Sequence, residues 1–166
     1  EAELKLLKAQ IHPHFLFNTL NNLYGLALEK SDRTPDLVLR LSEILDYILY
    51  RCNEKHVLLS DEIKNLINYI EIEKIRYSEK LKLNFVFPEN TAEIKIAPLI
   101  LLPFVENAFK HGVSNNTGLA LVEIRTSLVD KNLIFKITNS KNLLSKKEET
   151  YSKGIGLKNV KKRLEF

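Results

Sequence analysis

The 166-residue chain has no methionine, no tryptophan and a single cysteine, Cys52. One thiol can neither close a disulfide within the chain nor hold a zinc ion alone, so a disulfide-stapled secreted module is excluded and a reducing, cytoplasmic setting is expected. Glycine and proline are sparse, five of each, which rules out collagen-like and low-complexity architectures. No run of roughly 18 apolar residues is present, so no transmembrane helix is expected in the chain, and no signal peptide is visible. With no methionine and a start inside a helical pattern at Glu1, the chain is expected to be an excised fragment.

Charge of one sign is not in large excess either. The net charge of +4 comes from scattered basic residues with nearly as many acids among them. A nucleic-acid protein would gather its positive charge into a face or stripe, so no nucleic-acid partner is expected. Mild basicity suits work near an anionic membrane surface. The apolar and charged fractions, 45% and 28%, are those of a globular protein long enough to bury a core.

What is present is strongly periodic. Leu4, Leu7, Ile11, His14 and Asn18 recur at helical steps and predict a helix from Glu1 to about Glu29, with a kink at Pro13. After a turn over Ser31–Pro35, Thr34-Pro35-Asp36 predicts a helix start with Thr34 as the capping hydroxyl. Leu37, Leu41, Ile44, Leu45 and Ile48 form the stripe of that second helix. Two such helices joined by a short turn make an antiparallel hairpin, which cannot bury both stripes alone and is expected to dimerise into a four-helix bundle. Ser60-Asp61-Glu62 starts a third helix, to about Tyr77; Glu71 and Glu73 on it are read as a solvated face. Residues 81–87 then alternate as a strand. Pro98 opens an apolar helix ending at Gly112, and strands follow near 119–128 and 133–139, turning at Asp130-Lys131-Asn132. The expected class is α+β, a helical half to about residue 57 and an α/β half over 58–166.

Three stretches carry chemistry. In Gln10-Ile11-His12-Pro13-His14-Phe15-Leu16-Phe17-Asn18, His14 offers an imidazole, a nucleophile at neutral pH because a free imidazole titrates near about 6.5. Asn18, one turn on, is placed to orient the ring or to contact phosphate. An isolated histidine here would more simply be a half-buried interface residue. His12 is a second candidate nucleophile, but residues two apart cannot converge on a metal from one helix. The second stretch, Pro98 to Gly112, puts Asn107 and Lys110 on one face of an apolar helix. An amide oxygen with phosphates and waters suffices for Mg²⁺. The third is the pair Gly154-Ile155-Gly156-Leu157, which permits close backbone approach before a short final helix. The polar run Lys141 to Lys153 precedes it.

In this order the motifs resemble the LytS-like sensor histidine kinases, with the Gln-x-x-Pro-His-Phe acceptor signature followed by the N box of the GHKL ATPase fold. That fold is shared with gyrase-type ATPases, chaperone ATPases and MutL. The resemblance implies that His14 is the phosphorylated histidine, with Asn18 beside it. It further implies that Asn107 holds Mg²⁺ and Lys110 reaches a phosphate of ATP. His111, Asn139, Gly154, Gly156 and Leu157 would complete the nucleotide contacts, and residues 141–153 would be the lid. Pro103 stands four residues before Asn107, where hydrolytic relatives place a glutamate that activates water. This favours transfer to a side chain over hydrolysis. Asn139-Ser140-Lys141 replaces the usual Asp-x-Gly-x-Gly, so Asn139 would meet the adenine amine through an amide. A C-terminally truncated α/β sandwich, a homodimeric hairpin over 1–57, a response-regulator receiver domain as partner and a membrane anchor upstream of residue 1 are implied as well. A dimeric signalling pseudokinase and a clamp-type ATPase are the alternatives.

Overall fold

The computed structural model describes residues 13–89, 91, 93–113, 118–130, 132–140 and 160. Helix α1 (Pro13–Leu28) and helix α2 (Thr34–Asp46) pack together as a hairpin, and α2 runs on into a π-helical turn, Tyr47–Arg51. Any kink in a helix passing through Pro13 lies at the edge of the described residues. The start of α2 departs from expectation. Its cap position is Arg33, with Thr34 already helical, Pro35 in the first turn and the Thr34 hydroxyl buried without a hydrogen-bond partner. Instead, the Ser31 hydroxyl accepts the Arg33 amide at 3.3 Å, which satisfies the turn one step earlier.

The α2 stripe reads as expected, with Leu37, Leu41 and Ile44 buried. Much of what covers it belongs to the same chain: the central helix α3 (Leu59–Tyr77) packs along α2 and also touches α1, the sheet and the next helix. Because α3 is covered on several sides, its acids are not a solvated face. Glu62 and Glu73 are buried, 0% and 2% exposed, while Glu71 is half-buried beside Lys74. The amphipathic reading treated α3 as a surface helix, whereas it is the middle layer of the molecule.

Beyond α3, a 3₁₀ turn (Ser78–Lys80) leads into strand β2 (Leu81–Val86). Strands β4 (Ala120–Val129) and β5 (Asn132–Asn139) form a hairpin, and β2 joins β4 in parallel, giving the order β2–β4–β5. The register puts Leu83 opposite Val122 and Phe85 opposite Ile124, with Ile137 across from Ile124 on the other side. One sheet face is therefore apolar and receives helix α4 (Leu102–Gly112). Two short strands, β1 (Val57–Leu58) and β3 (Lys95–Ile96), pair antiparallel in a second sheet. Among the described residues the architecture is α+β with four α-helices and these two sheets.

Helix α4 begins at Leu102 rather than at Pro98. Pro98–Leu101 form a buried strap in which Leu99 takes a left-handed φ of 53°. The amides of Leu99 and Leu101 donate to the Glu62 carboxylate, which holds the strap out of helical geometry. Among the described residues a single hydrophobic cluster runs from Phe15 through α2, α3 and α4 to Val122 and Ile124 of β4.

Candidate functional site

Successive helical side chains point about 100° apart, so burial of Phe15 turns its neighbour His14 outward. Phe15 is 7% exposed and stacks on Tyr69 of α3 with ring centroids 4.6 Å apart. His14 is exposed, and the Asn18 side-chain nitrogen lies 3.1 Å from its Nδ1 and 3.3 Å from its Nε2. One turn along, the buried Thr19 hydroxyl donates to the Phe15 carbonyl at 2.9 Å and fixes this stretch against the core.

On α4, Asn107 is half-buried, whereas Lys110 and His111 are exposed in the last turn. The helix C-terminus favours positive charge there. Gly112 ends α4 against the tip of β5. A Cβ placed on it would lie 2.7 Å from the Asn139 Cβ, so only glycine lets strand and helix approach this closely. Asn139 Nδ2 donates to the Ser140 carbonyl at 3.0 Å. The amide of Leu121 donates to the Ser140 hydroxyl at 3.0 Å, and Ser140 returns its own amide to the Leu121 carbonyl at 2.8 Å. Asn107, Lys110 and His111 thus share one helix with Asn139 beside its C-terminal end. His14 and Asn18 pair with each other on a different element. Gly154, Gly156, Leu157 and the stretch 141–153 lie outside the described residues.

The rings connect the two elements. Tyr69 meets Phe109 edge-on at 6.1 Å, and Phe109 stacks with Tyr77 at 6.3 Å. The path of rings runs from the residue after His14 to the residue before Lys110. A hollow of about 480 Å³ across β2 and β4 is lined by none of the expected site residues.

Two carboxylates escaped the sequence reading. Glu62 Oε2 accepts the Tyr47 hydroxyl at 2.5 Å and the Leu99 amide at 2.9 Å, and its Oε1 accepts the Leu101 amide at 3.2 Å. Burial pushes the Glu62 carboxyl up, against the pull of the Tyr47 hydroxyl and the backbone amides of Leu99, Leu101 and Ile100. The Tyr47 hydroxyl is pushed well up, first by burial and then by the Glu62 charge. Glu73 is pushed up to about 7 by burial, with Glu106 adding to the rise, while Arg76, 3.4 Å away, and Tyr69 oppose it. A signal was available: Glu62, Leu66, Tyr69 and Glu73 fall at steps of four, three and four, which sets both acids on an apolar helix face.

The chain is similar to known histidine kinases. Residues 2–81 match the family model described as histidine kinase. The sensor histidine kinase BtsS of Escherichia coli K12 is 35% identical over 164 residues, 99% of this chain and 29% of that protein. The sensor protein LytS of Oceanobacillus iheyensis is 30% identical over 99% of this chain and 30% of its own length. The sensor protein kinase HptS of Staphylococcus aureus USA300 is 33% identical over 80% of this chain and 25% of its own length. The chain therefore spans under a third of these relatives.

Proposed function

Since the chain is a relative of the LytS-like sensor histidine kinases along almost its whole length, we propose that it is the core in which ATP-Mg²⁺ is bound and a phosphoryl group is passed to His14. The observation that carries this reading is the exposed His14 ring with the Asn18 amide 3.1 Å from it. Imidazole attacks a phosphoryl group through a ring nitrogen that holds a lone pair, and the other nitrogen must then carry the proton. The Asn18 amide can accept an N–H through its oxygen or donate to a lone pair through its nitrogen, so it serves the ring before and after transfer. Phosphoryl transfer asks mainly for positioning and charge neutralisation.

The residues on α4 and β5 suit the nucleotide. Asn107 supplies a hard oxygen of the kind Mg²⁺ takes alongside phosphates and water. Lys110 and His111 present positive or polar groups from the same helix end, and Asn139 Oδ1 suits the adenine amine. The glycine pair Gly154 and Gly156, with Leu157, would close the site. On this reading residues 58–166 form the GHKL-type ATP-binding unit. Residues 1–57 form the acceptor hairpin, whose exposed Phe17, Tyr24, Leu28, Leu39 and Tyr50 suit a homodimer interface. The receiver domain of a response regulator is the onward acceptor. Among the described residues no helix is long and apolar enough to cross a membrane, and the anchor of the sensor would lie upstream.

The test is incubation of the full-length protein with γ-labelled ATP and Mg²⁺, beside a His14→Gln variant. Acid-labile label on the wild type and none on the variant is the expected result. A folded, dimeric protein that takes no label in either form would overturn the kinase reading.

A further inference from the structure

A fully buried, multiply bonded carboxylate lies outside both sites. Glu62 is fully buried at the N-terminal turn of α3, and two other segments reach it. From the hairpin comes Tyr47, the first residue of the π turn that ends α2. From the other side come the amides of Leu99 and Leu101, in the strap that leads straight into Leu102 and the helix bearing Asn107. Irregular backbone stands at both ends of this link, a π turn on one side and the left-handed Leu99 on the other. Such segments have regular alternatives close at hand and are common where motion is used.

We propose that Glu62 is a positioning residue for phosphoryl transfer: it ties the end of the second hairpin helix to the strap that sets α4, so that a movement of the hairpin is delivered to Asn107 and Lys110. The inference rests on the kinase reading. A rotation of α2 shifts Tyr47, and Tyr47 shares Glu62 Oε2 with the Leu99 amide. The carboxylate cannot follow Tyr47 without loosening the strap. A buried carboxylate oxygen that loses a donor is costly to leave unpaired, so the link is stiff.

The experiment uses the full-length protein with Tyr47→Phe, Glu62→Gln and the double variant. Binding of a fluorescent ADP analogue with Mg²⁺ gives the affinity and the number of competent sites. The rate of labelling with γ-labelled ATP is then expressed per competent site, beside the melting temperature. Tyr47→Phe leaves the strap bonds in place and is expected to keep nucleotide affinity. Its rate per competent site should fall about fivefold, the equivalent of one net hydrogen bond of about 1 kcal/mol. Glu62→Gln sets an amide N–H against donors that the carboxylate now accepts, and should lose both rate and affinity. The double variant should lose little more than Glu62→Gln alone, because both act through one link. If Glu62 only anchors the fold, melting temperature and competent-site number fall while rate per site and affinity hold, and the proposal is overturned. Should Glu62→Gln fail to fold, the rate per site of Tyr47→Phe decides by the same criterion. A wild type that binds the analogue and takes no label overturns the kinase reading, and with it the transfer role assigned to Glu62. The affinity of Glu62→Gln then still decides whether the strap is set through this carboxylate.

Discussion

Helices α1 and α4 each carry a histidine and share one core, yet they hold their polar residues in different ways. On α1 the contact that matters, His14 to Asn18, closes within one turn of the same helix and stays exposed. On α4 the placement of Asn107 and Lys110 depends on distant partners: Asn139 against Gly112 at one end, and a strap bound to Glu62 at the other. A locally closed pair tolerates changes elsewhere in the fold. A pair placed by packing inherits every fault in that packing.

The sharpest way to break this contrast is to truncate one ring on each helix. Phe109 is 2% exposed between Tyr69 and Tyr77, and Phe109→Ala should destabilise by about 3–5 kcal/mol. Phe17 on α1 is 66% exposed, and Phe17→Ala should change unfolding of the chain by no more than about 0.5 kcal/mol. Its effect should fall on self-association, read by sedimentation. Equal losses in denaturant midpoint would show that the two helices are embedded alike.

A matched pair of glycines gives the next largest difference. Gly112→Ala drives a Cβ to 2.7 Å from Asn139 and should cost about 1–3 kcal/mol, with weaker binding of Mg²⁺-ADP. Gly25 lies inside α1 with nothing within 4 Å of its missing Cβ. There, Gly25→Ala should stabilise by about 0.5–1 kcal/mol through helix propensity alone. Thermal unfolding of the two variants side by side should give shifts of opposite sign.

The same contrast explains what was legible. The stretch from Pro13 to Asn18 is contiguous, so the placement of His14 beside Asn18 follows from helical spacing, and the β4–β5 hairpin shows itself by alternation with turn residues between. Pro98–Leu101 looked helical because its apolar residues suit a helix. It is a strap because a carboxylate 37 residues earlier claims the Leu99 amide, a long-range competition that no local window contains. Glycine at 112 was legible as a helix end, but its cause is the neighbouring strand. The acids of α3 misled because an amphipathic helix was assumed to have a wet side.

Acid and base arms of stability offer a finer comparison. Glu73 has a folded pKa near 7, above the ordinary carboxylate value of 4.5, in a setting of Arg76, Glu106 and Tyr69. The folded state therefore binds the extra proton, and this group's contribution falls as pH rises from about 4.5 to about 7, then levels off. Its full span is at most about 3.5 kcal/mol. Glu73→Gln should flatten that part of the stability profile, measured by urea unfolding at a series of pH values. A slope unchanged by the substitution would place the titration elsewhere.

The smallest effect belongs to the α2–α3 contact. Glu43 accepts Lys64 at 2.8 Å and Asn68 at 2.7 Å, and these bonds, led by that from Lys64, hold its carboxyl below the usual range. Lys64 is 66% exposed, so water screens the pair and Lys64→Met should cost no more than about 0.5–1 kcal/mol near neutral pH. The sign of its pH dependence is opposite to that of Glu73. A depressed folded pKa stabilises above the unfolded value, and the benefit fades as pH falls through the carboxylate range. Acidification should therefore shrink the penalty of Lys64→Met while the Glu73 contribution grows. Two acids, Glu43 on α2 and Glu73 on α3, would then titrate in opposing senses, Glu43 because charged and amide donors meet it at a wet edge, Glu73 because the core has closed over it.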